Sequence, residues 1–463
     1  MNNIEEFDCV VVGGGIVGAG IFRDLCLHQE KSLIIDKADF TAKTSQASSK
    51  MLHGGIRYLE NLDFHLVYEA LHEKNLWLKI APHLCYEERF YLPIYQDAKR
   101  PLWMIKLGLF LYDLLSGFQN TRHQIADKKT TLQNIAHLNP RGLSGAGIYS
   151  DAVVDDAKMT LEMIYDGCFH SPSSKALNYH EFLAIESEAD GHIISIKNCL
   201  NGKSFQVKAK NIVYALGPFT DIVLSKIKKY HWQNILLPSK GSHLWFSRKR
   251  LPLQHPIVMT TKDDRVIFVI PQNDLVLVGT TELAPDKNFD EQIISEKETT
   301  YLLQELGKYF PDLKLEKNDI LGSYSGIRPL VRDNSGDLGK TSREHKIVQM
   351  SSSEFAIAGG KYTTFRVMGQ EITRIIVTKK GKVYDELKTT SPLKKTSLVK
   401  SFKFKIPSDQ EIEQIIKDEF PKTTDDFIYR RLGIHSPEIW NEKTTESFEA
   451  FKIKIDKIFQ TEL

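Results

Sequence analysis

Apolar and polar positions alternate along the chain in a few distinct rhythms. Phe7-Asp-Cys-Val-Val-Val12 is an apolar run rich in β-branched residues, the pattern of a buried parallel strand. Gly13-Gly-Gly-Ile-Val-Gly-Ala-Gly20 follows as a glycine turn, leading into a helix predicted over Ile21–His28. Ser32-Leu-Ile-Ile-Asp36 is a second short strand that ends on an acid, completing one βαβ unit. Apolar residues at helical spacing over 61–82, among them Leu66, Leu71, Leu76 and Leu78, predict a helix, and 101–115 predicts another. From about 189 to 214 short alternating runs predict strands, as do 243–246, 266–270 and 275–279. A helix is predicted over 363–378, and charged amphipathic helices over 408–419, 424–431 and 444–459.

These rhythms divide the chain. Residues 1–80, 140–220 and 345–380 are assigned to a discontinuous dinucleotide-binding domain, and 81–139 with 221–344 to a substrate-binding domain. Between Lys379 and Lys405 there are nine lysines against only Asp385 and Glu386, so 381–405 reads as a basic linker. Residues 406–463 read as a small helical appendage.

The 463 residues suit two to three domains and bury a large core. With 41% hydrophobic and 26% charged residues, disordered and fibrous classes are excluded. A net charge of +2 gives no global pull toward nucleic acid or an anionic surface. Five cysteines without a CxxC pair point to a reducing compartment, with neither a disulfide framework nor a zinc site. The acidic start, Met1-Asn-Asn-Ile-Glu-Glu, does not read as a signal peptide. The most apolar stretch, 101–115, is interrupted by Lys106 and Asp113 and is shorter than the ~20 residues of a spanning helix.

Gly13, Gly15 and Gly18 fit G-x-G-x-x-G: a tight turn, close backbone approach to a pyrophosphate, and close helix–strand packing. Helix N-terminal amides then meet the phosphate charge. Asp36, at the end of the next strand, is placed to accept hydrogen bonds from an adenosine ribose. The motif so near the start of the chain favours FAD over NAD.

Downstream, Thr44-Ser-Gln-Ala-Ser-Ser-Lys-Met-Leu-His-Gly-Gly-Ile-Arg-Tyr-Leu-Glu60 resembles the second FAD-contacting segment of the FAD-dependent glycerol-3-phosphate dehydrogenases, members of the glycine/D-amino-acid oxidase (DAO) superfamily. Five more segments are similar and fall in the same order: 100–113, Ser150-Asp-Ala-Val-Val-Asp-Asp-Ala157, Lys240-Gly-Ser-His243, Ser325-Gly-Ile-Arg-Pro-Leu330 and Gly359-Gly-Lys-Tyr-Thr-Thr-Phe-Arg366. The resemblance implies an α/β fold: a Rossmann-type FAD-binding domain, an inserted antiparallel-sheet substrate domain and a small, shortened C-terminal helical cap. It implies oxidation of sn-glycerol 3-phosphate to dihydroxyacetone phosphate, with electrons passed to a quinone. FAD contacts carry over to Gly13, Gly15, Ile16, Gly18, Asp36, Lys37, Thr44, Ser45, Ser48, Ser49, Lys50, His53, Gly54, Gly217, Arg328, Gly360, Lys361, Thr363 and Thr364.

The residue chemistry is compatible with that reaction, which needs a base for the hydroxyl proton and cations for the phosphate. Arg57, Arg328 and Arg343 match substrate-side positions, and arginine's fork suits phosphate. Tyr58 would orient the substrate. His243 is the natural general base by its unperturbed pKa near 6.5; a buried, satisfied histidine is the rival reading. Lys361, before the 363–378 helix, would stabilise negative charge on a reduced flavin.

Three departures stand out. Tyr214-Ala-Leu-Gly-Pro-Phe219 replaces the usual Asn-Ala-x-Gly-Pro-Trp, Pro271-Gln272 lacks the usual aromatic, and the stretch before Asp426-Phe-Ile-Tyr-Arg-Arg-Leu-Gly433 is shorter than usual. An oxidase using O2, a DAO-fold enzyme acting on an amino or hydroxy acid, and a catalytically silent FAD-binding paralogue remain open. The resemblance implies a cytoplasmic protein in peripheral contact with the inner face of the cytoplasmic membrane. No metal or nucleic acid is expected, and a homo-oligomer is left open.

Overall fold

A computed structural model describes residues 4–332, 345–396, 406–434 and 445–462. Two sheets organise these residues. The first has the strand order 345–351, 354–359, 204–214, β1 (Glu5–Val12), β2 (Ser32–Ile35), 175–177. Its centre is parallel, with Val10 beside Ile212 on one flank and Leu33 on the other. Strands buried on both faces read as continuous apolar runs, which is why Val10, Val11, Ile34 and Ile35 are fully enclosed.

Helix α1 (Ile16–Leu27) lies over this sheet between the helices 156–170 and 365–379. It begins five residues before the predicted start, because Gly18 and Gly20 sit inside the helix rather than ahead of it. A Cβ on Gly20 would lie 2.9 Å from Phe365, and one on Gly369 3.0 Å from the Gly20 backbone. The missing side chains let the two helices touch, and that packing gain outweighs glycine's poor helix propensity.

The second sheet runs 320–328, 239–247, 275–279, 266–272, 257–260, 85–95, 143–154, 51–52, mostly antiparallel. Of the stretch 140–220 expected in the first domain, strands 175–177 and 204–214 lie in the first sheet and the opening strand does not. Strand Leu143–Val154 pairs along its length with Cys85–Tyr95 and belongs to the second sheet. Helix α2 (Phe64–Ile80) inserts Trp77 against Phe365, and α3 (Leu102–Leu115) lies on strand 143–154, where Gly147 leaves room for Ile105 and Leu109.

The stretch read as a linker is fastened over its described part. Arg23, paired with Asp166 at 2.6 Å, donates to the Thr389 and Ser391 carbonyls. Leu393 is buried in the core, with its N–H on the Ile80 carbonyl. Lysine content marked the solvent side of this strap; its buried contacts are made by Leu393, by backbone and by the hydroxyls of Thr389 and Thr396, which bond Gln370 and Glu419. The C-terminal helices Asp409–Glu419, Asp426–Arg431 and Thr445–Glu462 enclose a small core of their own, including Ile415, Phe427, Phe451 and Ile455.

Candidate active site

A cavity of about 1630 Å³ lies between the two sheets. Small-ligand pockets occupy roughly 300–1,000 Å³, so there is room for an extended dinucleotide together with a small second molecule. The glycine turn forms one end. Gly13 adopts φ +113°, and a Cβ there would meet the Ala215 carbonyl at 2.3 Å, so the turn stays bare and open to a ligand. The N–H of Ile16 donates to Ser45 Oγ at 2.8 Å, which stitches the start of α1 to the Thr44–Gln46 turn.

Asp36 caps this end. Its carboxylate accepts the N–H groups of Gly14 at 2.7 Å and Ala38 at 2.9 Å, which fixes it at the end of β2 and on the cavity wall. Burial pushes its pKa up to about 6, against the opposing pull of those two amides. A half-buried acid held by two amides on a bare glycine turn is the donor–acceptor arrangement that an adenosine diphosphate moiety requires. The residues present fit FAD.

The expected FAD contacts separate into two groups. Gly13, Gly15, Ile16, Asp36, Lys37, Thr44, Ser45, Ser48, Ser49, His53, Gly217, Arg328, Gly360, Lys361 and Thr363 line the cavity. Gly18, Lys50, Gly54 and Thr364 stand behind its wall. A Cβ on Gly18 would strike the Gly13 carbonyl at 1.9 Å, the close packing that the third motif glycine permits. Lys50 is drawn inward to Asp156, 2.7 Å away, where Ser48 Oγ also donates. Gly54 donates its N–H to Asp151 and clears space for Tyr112. Lys37 sits on the rim, paired with Asp290 and over the Phe219 ring.

The other end collects the candidate catalytic groups from distant strands. His243, on strand Ser239–Ser247, is buried, and its Nε2 lies 2.9 Å from Ser49 Oγ. Its ring stacks on Tyr324, with centroids 4.9 Å apart, while Nδ1 has no hydrogen-bond partner among the described residues. Burial, reinforced by Arg328 and Lys50, holds its pKa well below 6.5. The ring is held in its neutral form, with Nε2 engaged by Ser49.

Arg328 ends strand Ile320–Arg328 and donates to Thr280 Oγ1 at 2.6 Å. A Cβ on Gly241 would lie 2.3 Å from its guanidinium, so the glycine of Lys240-Gly-Ser-His243 makes room for this arginine. The Lys361 ammonium rests 3.7 Å from the centre of the Tyr58 ring. Arg57 stands exposed at the mouth and donates to the Asp264 carbonyl at 2.8 Å. Arg343 lies outside the described residues.

Several wall residues carried no local signal. Thr280 and Thr281 reach the cavity because strand 275–279 pairs with 239–247, setting Gly279 opposite His243. Lys99, Arg100, Lys262 and Arg265 gather at the mouth, with Arg100 and Lys99 on the Asp264 carboxylate at 3.1 and 3.2 Å. Of the departures from the family pattern, Phe219 lines the cavity, whereas Tyr214 turns to the opposite face of its sheet and bonds Tyr230.

The chain is 34% identical over 392 residues to the mitochondrial glycerol-3-phosphate dehydrogenase of Mesocricetus auratus, covering 80% of this chain and 53% of that protein. It is 31% identical over 376 residues to the aerobic glycerol-3-phosphate dehydrogenase of Bacillus subtilis, covering 80% and 67%. It thus spans about half the length of the mitochondrial relatives it matches. Its fold is similar to the structure of the glycerol-3-phosphate dehydrogenase from Bacillus halodurans complexed with FAD. The TM-score there is 0.76 at 22% identity, over 98% of this chain and 91% of that one. Residues 8–373 match the FAD dependent oxidoreductase (DAO) family, and with the glycine turn, Asp36 and the two-sheet cavity in place, the chain belongs to that family.

Proposed function

We propose that this chain oxidises sn-glycerol 3-phosphate to dihydroxyacetone phosphate and passes the electrons to a quinone. The observation that carries the reading is the joint presence of His243, Arg328, Tyr58 and Lys361 on one cavity whose far end is the glycine turn with Asp36. The relatives named glycerol-3-phosphate dehydrogenases support the substrate. When bound, FAD supplies the hydride acceptor.

The chain's own residues divide the remaining work. His243, neutral and engaged at Nε2 by Ser49, takes the proton of the substrate's secondary hydroxyl. Arg328, steadied by Thr280, and Arg57 at the mouth bind the phosphate dianion, with Arg343 as a third candidate. Tyr58 orders Lys361, whose charge stabilises anionic character developing at its end of the cavity.

Helix α3 supports peripheral contact with a membrane. Trp103 (66% exposed), Leu107, Phe110 and Leu114 stand in solvent beside exposed Lys106, and Leu62 and Phe64 are exposed at the start of α2. Aromatic and leucine side chains with a lysine suit the interface of a bilayer. No described helix is long and apolar enough to cross one.

A dye-linked assay comparing sn-glycerol 3-phosphate with glycerol, glycine and lactate tests the reading. Turnover confined to the phosphate ester is expected. Equal or faster turnover of the amino or hydroxy acid would overturn it.

A further inference from the structure

We infer that the C-terminal helical unit is a clamp on the adenosine end of the cavity: it holds the 36–41 loop through Asp39 and Phe40, and so positions Asp36 and the glycine turn. The inference rests on the family's FAD dependence and not on the choice of substrate.

Two separate lines of contact run from the unit to the loop. The first is ionic. Asp39 is buried on the cavity wall three residues after Asp36. It receives Arg430 Nε at 2.6 Å, Arg431 Nη2 at 2.9 Å and a further bond from Arg431 Nη1. Arg431 is itself enclosed and donates Nε to the Glu419 carbonyl at 2.9 Å, while Arg430 also pairs with buried Asp426. Two guanidiniums thus balance two carboxylates, and Asn178 and Tyr179 complete the set by donating to Asp39 and Asp426.

The second line is apolar. Phe420 packs edge-on against Phe40, with centroids 5.8 Å apart. Phe40 in turn occupies the space over Gly14, where a Cβ would come within 2.2 Å of its ring. Gly14 donates its N–H to Asp36 and accepts the Thr41 N–H, so loop and glycine turn move as one piece.

The consequence follows from charge. A dinucleotide brings an anionic pyrophosphate to the glycine turn, and an uncompensated Asp39 carboxylate on the same wall repels it. With both arginines in place the Asp39 charge is balanced, and Asp39 stays ionised, because the Arg431 and Arg430 charges outweigh its burial. Asp39 also adds to the upward push on the Asp36 carboxyl. The arginines are positioning residues: they act on FAD through Asp39, and the unit that carries them has its own core.

The test follows FAD release from the purified holoprotein after dilution, by the rise in flavin fluorescence, with the melting temperature of each variant recorded alongside. Arg431→Met and Phe420→Ala are expected to speed release on the order of tenfold or more. The double variant Asp39→Asn/Arg431→Met is expected to release FAD more slowly than Arg431→Met, because the repelling charge is gone. A role confined to folding lowers the melting temperature without that recovery. Arg430→Met, at a partly exposed site, provides the same comparison if Arg431→Met does not fold. Unchanged release in the folded single variants, or a double variant no slower than Arg431→Met, would overturn the proposal.

Discussion

Asp36 and His243 illustrate how burial sets the chemistry of single residues in this cavity. Both are displaced toward their neutral forms, the acid upward to about 6 and the imidazole well below 6.5. For Asp36, the ionised form is the better acceptor for ribose hydroxyls. FAD affinity of the apoprotein should therefore weaken as pH falls through about 6, and Asp36→Asn should weaken it at all pH values. Titration by flavin fluorescence at pH 5, 6 and 7 measures both effects. For His243, the neutral base is populated from below 6.5 upward, so kcat/KM should show no acid limb centred near 6.5. A limb at 6.5 would mean that another group accepts the proton. His243→Asn should lower kcat by about 10²–10⁴-fold, the usual contribution of a positioned base, with FAD still bound.

At the level of elements, what could be read from the sequence was what is local. β1, the glycine turn and β2 lie within thirty-two residues, and their apolar runs declare themselves by composition. His243, Arg328 and Lys361 were also identifiable, but through matching motifs and not through periodicity. Illegible were the partners: nothing around residue 143 says that it pairs with strand 85–95, and nothing in Thr280 says that it meets Arg328. Those are long-range choices made by sheet register. Lys50 and Gly54 stand behind the cavity wall for the same reason. Their neighbours Ser49 and His53 face the cavity, while Asp156 and Asp151, about a hundred residues away, draw these two inward.

Two element-scale predictions follow from packing and exposure. Trp77, fully buried in α2 and stacked on Phe365 at 4.9 Å, joins that helix to helix 365–379. Trp77→Ala should cost about 3–5 kcal/mol in urea denaturation, provided unfolding is cooperative. On α3, Trp103→Glu together with Phe110→Glu should reduce sedimentation with anionic lipid vesicles. Activity with a soluble dye should persist, since neither side chain touches the cavity. Undiminished vesicle binding would remove α3 from the proposed contact.

The whole molecule is arranged around the seam between its two sheets. The first sheet supplies the turn and acid that receive a dinucleotide, and Lys361 from the turn after its strand 354–359; the second supplies His243 and Arg328. The 381–396 strap and the C-terminal helices lie on the outside of the first domain, bound to it through Arg23, Leu393 and Asp39. That arrangement leaves the seam as the place where cofactor and substrate would meet.

Anaerobic addition of sn-glycerol 3-phosphate to the purified yellow protein, followed at the visible flavin band, tests that meeting most directly. Rapid bleaching is expected, with slow recovery when air is readmitted, as a quinone-linked enzyme would show. Fast recovery with peroxide would replace the quinone by O2. No bleaching with FAD plainly bound would contradict the central claim.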